Sequence, residues 1–259
     1  MTESREQQSK VVATRDGSHT IYSSQFDQHY HNPNGAVAES KHVFFEQSPL
    51  LDDISNSNPI TILEVGFGTG LNLLLLMDYC QKLNPEAQIN YYSIEGFPIS
   101  EETARNLNYE QHLRHPSVAD HLPTIFDDLS EGMNEFSITS NISLYLFNGM
   151  FGNFNPNNLQ ADYIFHDAFS PDVNSKLWTG DTFKTLASFS NDDVILTTYC
   201  AASKAQGAMA WAGWKVAKTQ GALGKREMIV ASLSEEPLSH LKRINEEHYA
   251  QRYQEGDFN

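Results

Sequence analysis

The sequence predicts an α/β fold, with a mostly parallel sheet covered by helices on both faces. Two observations carry that expectation. Apolar segments of strand length alternate with segments of helical length from Ile60 onward, and such alternation folds into parallel strands joined by crossover helices. Between the first strand and the first helix stands Gly66-Phe67-Gly68-Thr69-Gly70, whose glycines allow a tight turn and close approach of backbone to a ligand. In open sheets of this kind ligands sit beyond the carboxyl ends of the strands.

Residues 1–10 are polar, as loose chain ends are. From Val11 to Phe45 short extended-looking pieces flank Asn32-Pro33-Asn34-Gly35, which predicts a hairpin or small β extension. The polar stretch 52–59 then separates residues 1–57, an N-terminal β extension packed on the main body, from a main domain at 58–259. In that domain the first strand spans 60–65, a leucine-rich helix 71–83 and the second strand 89–95. Ser100 caps the next helix, over 100–108, and Glu101 and Glu102 in its first turn suit the helix dipole. Residues 109–141 read as an irregular or helical insertion. Strands follow at 142–147, 162–167, 194–199, 215–219 and 227–233, with helices over 179–189 and 203–211, so seven strands are expected.

Composition narrows the function. The 259 residues carry 17 lysines and arginines against 33 acids, a net charge of -16, which gives no overall attraction to nucleic acid or anionic membrane. The longest unbroken apolar run, Leu73 to Met77, is far too short to span a bilayer. The first twenty residues are too polar for a signal peptide, so the expected location is the cytoplasm. Cys80 and Cys200 lie on apolar segments without metal or redox spacing and read as buried free thiols. His29 and His31 could share one strand face, yet no carboxylate or thiol completes a ligand set, and no metal is expected.

Several residues at the predicted strand ends can do chemistry. Glu64, Gly66, Gly68, Gly70 and Asn72 form a Glu-x-Gly-x-Gly-x-Gly turn and the helix start after it, where free backbone N–H groups point at a ligand. That spacing differs from the G-x-G-x-x-G of dinucleotide folds. Glu95 closes the second strand, where an acid can accept hydrogen bonds from both hydroxyls of a ribose; the alternative is a solvated strand-end glutamate. Asn148, after the third strand, can accept a hydrogen bond through its amide oxygen. Asp167 ends the fourth strand ahead of Ser170 and Pro171. A carboxylate there is costly to bury without a cation or donor facing it, and it serves either as a catalytic group or as a cap for the following loop. Phe169, Pro171 and Trp178 can wall a pocket or merely pack.

Taken together these segments resemble the class I S-adenosylmethionine (SAM) methyltransferases, and more narrowly the tRNA-modifying MnmC methyltransferase domains and their stand-alone MnmD counterparts. The matching pieces are Tyr30-His31-Asn32 with Asn34-Gly35 and residues 39–45, Gly66 to Asn72, Glu95-Gly96-Phe97-Pro98, Phe165 to Pro171, Leu177-Trp178-Thr179 with Phe183, and Gly224-Lys225-Arg226-Glu227-Met228. The resemblance covers roughly residues 27–232. It implies a Rossmann-like class I fold, SAM as cofactor, and N-methylation of the 5-aminomethyl group of wobble uridine or 2-thiouridine in tRNA. By position Glu95 would take the ribose, the glycine turn the methionyl part, Asn148 the adenine and Asp167 the reacting amine. Lys204, Lys225 and Arg226 would grip the anticodon arm, on a locally basic stretch of an acidic chain. Bifunctional members of the family add a flavin oxidoreductase domain that generates the amine. No such domain follows here before Asn259, so the amine is expected from another protein or ready-made.

Two rivals remain on sequence alone. A small-amine N-methyltransferase or polyamine-type aminopropyltransferase would share the sheet and the acidic strand end, and the acidic surface favours it. A non-catalytic module that kept the SAM fold is disfavoured by the intact glycine turn, Glu95 and Asp167.

Overall fold

A computed structural model describes residues 9–56 and 58–258. The expected loose end therefore lies outside the described residues up to residue 8, while Ser9 and Lys10 already belong to β1 (Ser9–Ala13). With β2 (His19–Ser23) and β3 (Gln28–His29) it forms a three-stranded antiparallel sheet. The β extension then gives way to helix. Asn32-Pro33-Asn34-Gly35 makes no hairpin; Asn34 N donates to Asn32 Oδ1 at 2.9 Å, and the turn delivers the chain into α1 (Ala36–Ser40). That helix widens over Lys41–Phe45, where Glu46 N reaches back to Lys41 O, and α2 (Leu50–Ser55) follows. Val43, Phe44, Phe45, Leu50 and Ile54 are buried against the main core, so apolar burial overrides the extended propensity of this segment.

The main sheet is built on β4 (Ile60–Val65), which leads through the glycine turn into α3 (Leu71–Leu83). Leucines on every side of α3 leave no polar face, and residues 71–80 are all buried. Asn84 and Pro85 end the helix, since the residue before proline disfavours helical geometry. Replacing a fully buried residue such as Leu75 by alanine would cost about 2–5 kcal/mol. Next come β5 (Ile89–Glu95) and α4 (Glu101–Arg105), whose N-cap Ser100 accepts from Thr103 N as its sequence position requires. The stretch 109–141 is only partly helical. It holds short helical turns and α5 (His121–Asp127), but then forms β6 (Gly132–Ser137), an antiparallel edge strand on β7 (Ile142–Asn148).

β8 (Ala161–His166), α6 (Gly180–Ser188), β9 (Ser190–Thr198) and α7 (Ser203–Trp211) complete the alternation. The hairpin β10 (Lys215–Gln220) and β11 (Glu227–Ser232) follows, then β12 (Lys242–Arg243) and α8 (Glu246–Glu255). Among the described residues the sheet has nine strands in the order β12-β10-β11-β9-β8-β4-β5-β7-β6, not seven. Its centre, β9-β8-β4-β5-β7, is parallel, and both flanks are antiparallel. Adjacent residues of β4 enter different cores: Ile62 packs with α3, Leu63 with α6 and α7. Helices thus cover both faces, and the carboxyl ends of β4, β5 and β8 lie side by side. No helix among the described residues is long and apolar enough to cross a membrane, and no cluster of metal-ligating side chains occurs there. Cys80 and Cys200 are buried and free.

Candidate active site

β4 and β8 meet at their ends. Asp167 N donates to Val65 O at 3.0 Å, and a Cβ placed on Gly66 would come within 2.8 Å of the Asp167 carbonyl oxygen. Glycine is therefore required at position 66 by space as well as by its φ of 99°. Gly68 and Gly70 also have positive φ; a side chain on Gly68 would strike the Tyr30 ring, and one on Gly70 would strike Leu122. The turn that results points its backbone at Glu95, whose Oε2 accepts from Gly68 N at 2.8 Å and whose Oε1 accepts from Phe97 N at 2.7 Å. Burial holds the Glu95 carboxyl above the usual range, although these N–H groups pull it down. A carboxylate has about four acceptor sites, so Glu95 keeps capacity for a further donor.

Asn72, in the first turn of α3, holds a second pair of acids. Its Nδ2 donates to Glu64 Oε1 at 2.9 Å and to Asp167 Oδ2 at 3.0 Å, while Ser93 Oγ donates to Glu64 Oε2 at 2.7 Å. Burial pushes the Glu64 carboxyl up to about 8. Asp167 is raised well above its ordinary value, first by burial and then by the charges of Glu64 and Glu39.

A cavity of about 550 Å³ opens at these strand ends, in the range of small-molecule sites. Of the residues expected from sequence, Gly66, Gly68, Asn72, Glu95, Asp167 and Phe169 line it. Others do not. Glu64 lies beneath Asn72, and Gly70 packs on Phe67 and Leu122. Asn148 ends β7 outside the lining, and the wall beside it is made by residues 149–153 instead. Trp178 is fully buried and donates its indole N–H to Phe169 O at 2.8 Å, so it backs the wall from the core, and Pro171 belongs to the turn behind it.

The N-terminal segment supplies lining that no sequence pattern assigned to the site. Phe26 packs 4.8 Å from Phe169 and 5.1 Å from Phe97 between ring centres, Tyr30 stands edge-on to Phe169, and His31 faces the cavity. Burial lowers His31 to about 4, which keeps the imidazole neutral. Lys225, in the β10–β11 turn, pairs with Glu39 of α1 at 2.9 Å and lies 4.9 Å from the Tyr199 ring centre. Arg226 is exposed and Lys204 half-buried at the start of α7. Trp211 stacks under Lys184, and Trp214 is buried with its N–H on Phe183 O.

A glycine turn, an acid on the second strand and another on the fourth, gathered around one cavity on a doubly wound sheet, define the Rossmann-like methyltransferase class. Residues 117–234 match a family described as S-adenosyl-L-methionine-dependent methyltransferase. The chain's relatives include the tRNA 5-methylaminomethyl-2-thiouridine biosynthesis bifunctional protein MnmC of Leptospira interrogans, 31% identical over 222 residues, or 83% of this chain and 34% of the relative. The protein of the same name from Delftia acidovorans is 30% identical over 218 residues, 82% of this chain and 33% of the relative. The chain thus spans about a third of the length of these relatives. Among solved structures, MNMC2 from Aquifex aeolicus superposes with a TM-score of 0.75 over 89% of this chain and 72% of that one, at 24% identity.

Proposed function

We propose that the chain binds S-adenosyl-L-methionine and N-methylates the 5-aminomethyl group of wobble uridine, or 2-thiouridine, in tRNA, giving the 5-methylaminomethyl form. The observation that carries this reading is the shared cavity: Asp167 and the glycine turn face it together, held by the Asn72 amide. The residues suit the cofactor on independent grounds. Asn72 Oδ1 is buried at the cavity without a protein donor, and the methionyl ammonium is a donor. Glu95 has acceptor capacity left for ribose hydroxyls. Residues 149–153 wall the place that the adenine would take in place of Asn148.

When bound, SAM supplies an electrophilic methyl group, and the acceptor nitrogen takes it as the sulfur–carbon electron pair returns to sulfur. Asp167 positions the acceptor amine and stabilises the positive charge that grows on nitrogen. It is also placed to receive the proton that nitrogen must lose. A lone carboxylate would hold an ammonium too firmly in its protonated form, but Lys225 lies close enough to Asp167 to lower its carboxyl, and so moderates that effect. Phe26, Tyr30 and Phe169 form an aromatic wall that can stack a base and exclude water. Of the three basic groups assigned to the anticodon arm, Lys204, Lys225 and Arg226, Lys225 is already paired with Glu39, and the reading puts the chain in the cytoplasm with its tRNA.

Incubation of the purified chain with SAM and tRNA bearing 5-aminomethyluridine tests this, with nucleosides read by mass spectrometry. The methylaminomethyl nucleoside is the expected product. Methylation of free small amines and not of that tRNA would move the assignment to a small-amine transferase.

A further inference from the structure

The carboxylates beneath the cavity share more than methyl transfer requires. Glu64 comes from β4 and Asp167 from the end of β8, yet both accept from one nitrogen, Asn72 Nδ2, at 2.9 and 3.0 Å. Among the described residues neither is in an ion pair, and Lys225, which bears on Asp167, is itself paired with Glu39. Asn72 is 3% exposed and lines the cavity, and its buried Oδ1 has no protein donor. Two buried carboxylates around one neutral donor resist ionising together. A buried acceptor without a donor is likewise a cost that an entering donor relieves.

We propose that Glu64 and Asp167 share a proton in the ligand-free protein and release it to solvent when a sulfonium enters, so that this cluster distinguishes the charged methyl donor from its uncharged demethylated product. This rests on the reading of the cavity as a SAM site. A cation beside the pair favours the doubly ionised form, and Asn72 Oδ1 offers the ligand's ammonium an acceptor. Loss of the methyl group removes the charge from sulfur, so the pair takes back its proton and the product is held less firmly.

The surroundings support this assignment. Burial is the main force raising Glu64, opposed by Asn72, Ser93 and Tyr91 and reinforced by Glu95. Asp167 is raised by burial, Glu64 and Glu39 and lowered by Asn72 and Lys225. The phenols facing the pair, Tyr91 on β5, Tyr109 before α5 and Tyr199 after β9, are all pushed above their ordinary range and stay protonated. The shared proton is therefore assigned to the two acids.

Calorimetry of the full chain with SAM and with S-adenosylhomocysteine, in buffers of different ionisation enthalpy, counts the protons released. The two ligands share the ammonium and carboxylate and differ in the methyl group and the sulfur charge. SAM is expected to release about one proton more than S-adenosylhomocysteine near neutral pH, and the ratio of their affinities to rise about tenfold per pH unit below about pH 8, then level off. Glu64→Gln, which keeps hydrogen-bonding capacity and removes the sharing partner, should abolish both the difference and the slope. Equal release for both ligands in the unmodified chain overturns the proposal, as does a difference that survives Glu64→Gln; should that variant not fold, the unmodified comparison decides alone. Binding of both ligands with equal release leaves the SAM reading standing, whereas binding of neither overturns both.

Discussion

Asn72 and Asp167 are ninety-five positions apart in the chain, yet the Asn72 amide nitrogen stands 3.0 Å from Asp167 Oδ2 and fixes the carboxylate at the mouth of the glycine turn. That contact joins the start of α3 to the end of β8. It converts a buried acid from a liability into a group with a defined direction. Asp167→Ala should therefore lower methyl transfer by about 10²–10³-fold, the scale of losing one preorganised electrostatic partner. SAM affinity should stay within a few fold, because the glycine turn and Glu95 remain. Single-turnover kinetics alongside direct binding separate the two effects, and turnover that survives would take Asp167 out of the chemistry.

Glu95 makes the opposite prediction. Its carboxylate ties the turn to β5 through Gly68 and Phe97 and faces the cavity. Glu95→Ala should weaken SAM binding by about 2–4 kcal/mol, from loss of a ribose hydrogen-bond pair and of the carboxylate that orders the turn. Glu95→Gln, which keeps an acceptor oxygen, should fall between. A dissociation constant unmoved by the alanine would dismiss the ribose role.

The basic turn at residues 221–226 divides into two kinds of charge. Both are exposed, but Lys225 is paired with Glu39 and packed over Tyr199, whereas Arg226 makes no ion pair among the described residues. Only the second carries a charge that the chain has not already paired. Arg226→Ala should reduce the salt slope of tRNA binding by about one, and Lys225→Met should leave that slope nearly unchanged while disturbing the cavity rim. The reverse pattern would mean that the Lys225–Glu39 pair opens for tRNA.

How much of this could be read from sequence depended on burial. The bounds of α3, β4, β5 and α7 follow from the sequence, because buried strands are apolar along their length and the helices begin and end at recognisable residues. The edge strand β6 was lost among helical signals: its side chains are exposed or half-buried, so Gly132–Ser137 has no apolar run to announce it. Two-residue β12 and polar α8, which buries no residue fully, were equally silent. The turn at Asn32–Gly35 was recognisable as a turn, but its outcome was set by the apolar residues after it, which needed a core that only the folded chain provides. Glu95, Asp167, Gly66 and Gly68 could be named as candidate cavity residues because strand ends and loop chemistry are local. Phe26, Tyr30 and His31 could not, since nothing near them in sequence shows that they meet Phe169 across the cavity.

Glu64 also links stability to pH. Burial raises its carboxyl from 4.5 to about 8, so between those values the folded chain keeps a proton that the unfolded chain has lost, and stability falls as pH rises through the window. His31 and His166 act in the other direction: burial lowers each from 6.5 to about 4, so the unfolded chain takes up protons that the folded chain refuses, and stability falls as pH drops below 6.5. Above that point the histidines are neutral in both states and leave Glu64, with Asp167 shifted the same way, in control. Urea denaturation between about pH 6.5 and about pH 8.5 should show a decline of at most a few kcal/mol. Glu64→Gln should flatten most of it whatever its effect on absolute stability, because an amide has no proton to lose. An unmodified chain whose stability is constant over this range would show that Glu64 is already ionised in the fold, stabilised by Asn72 and Ser93 alone.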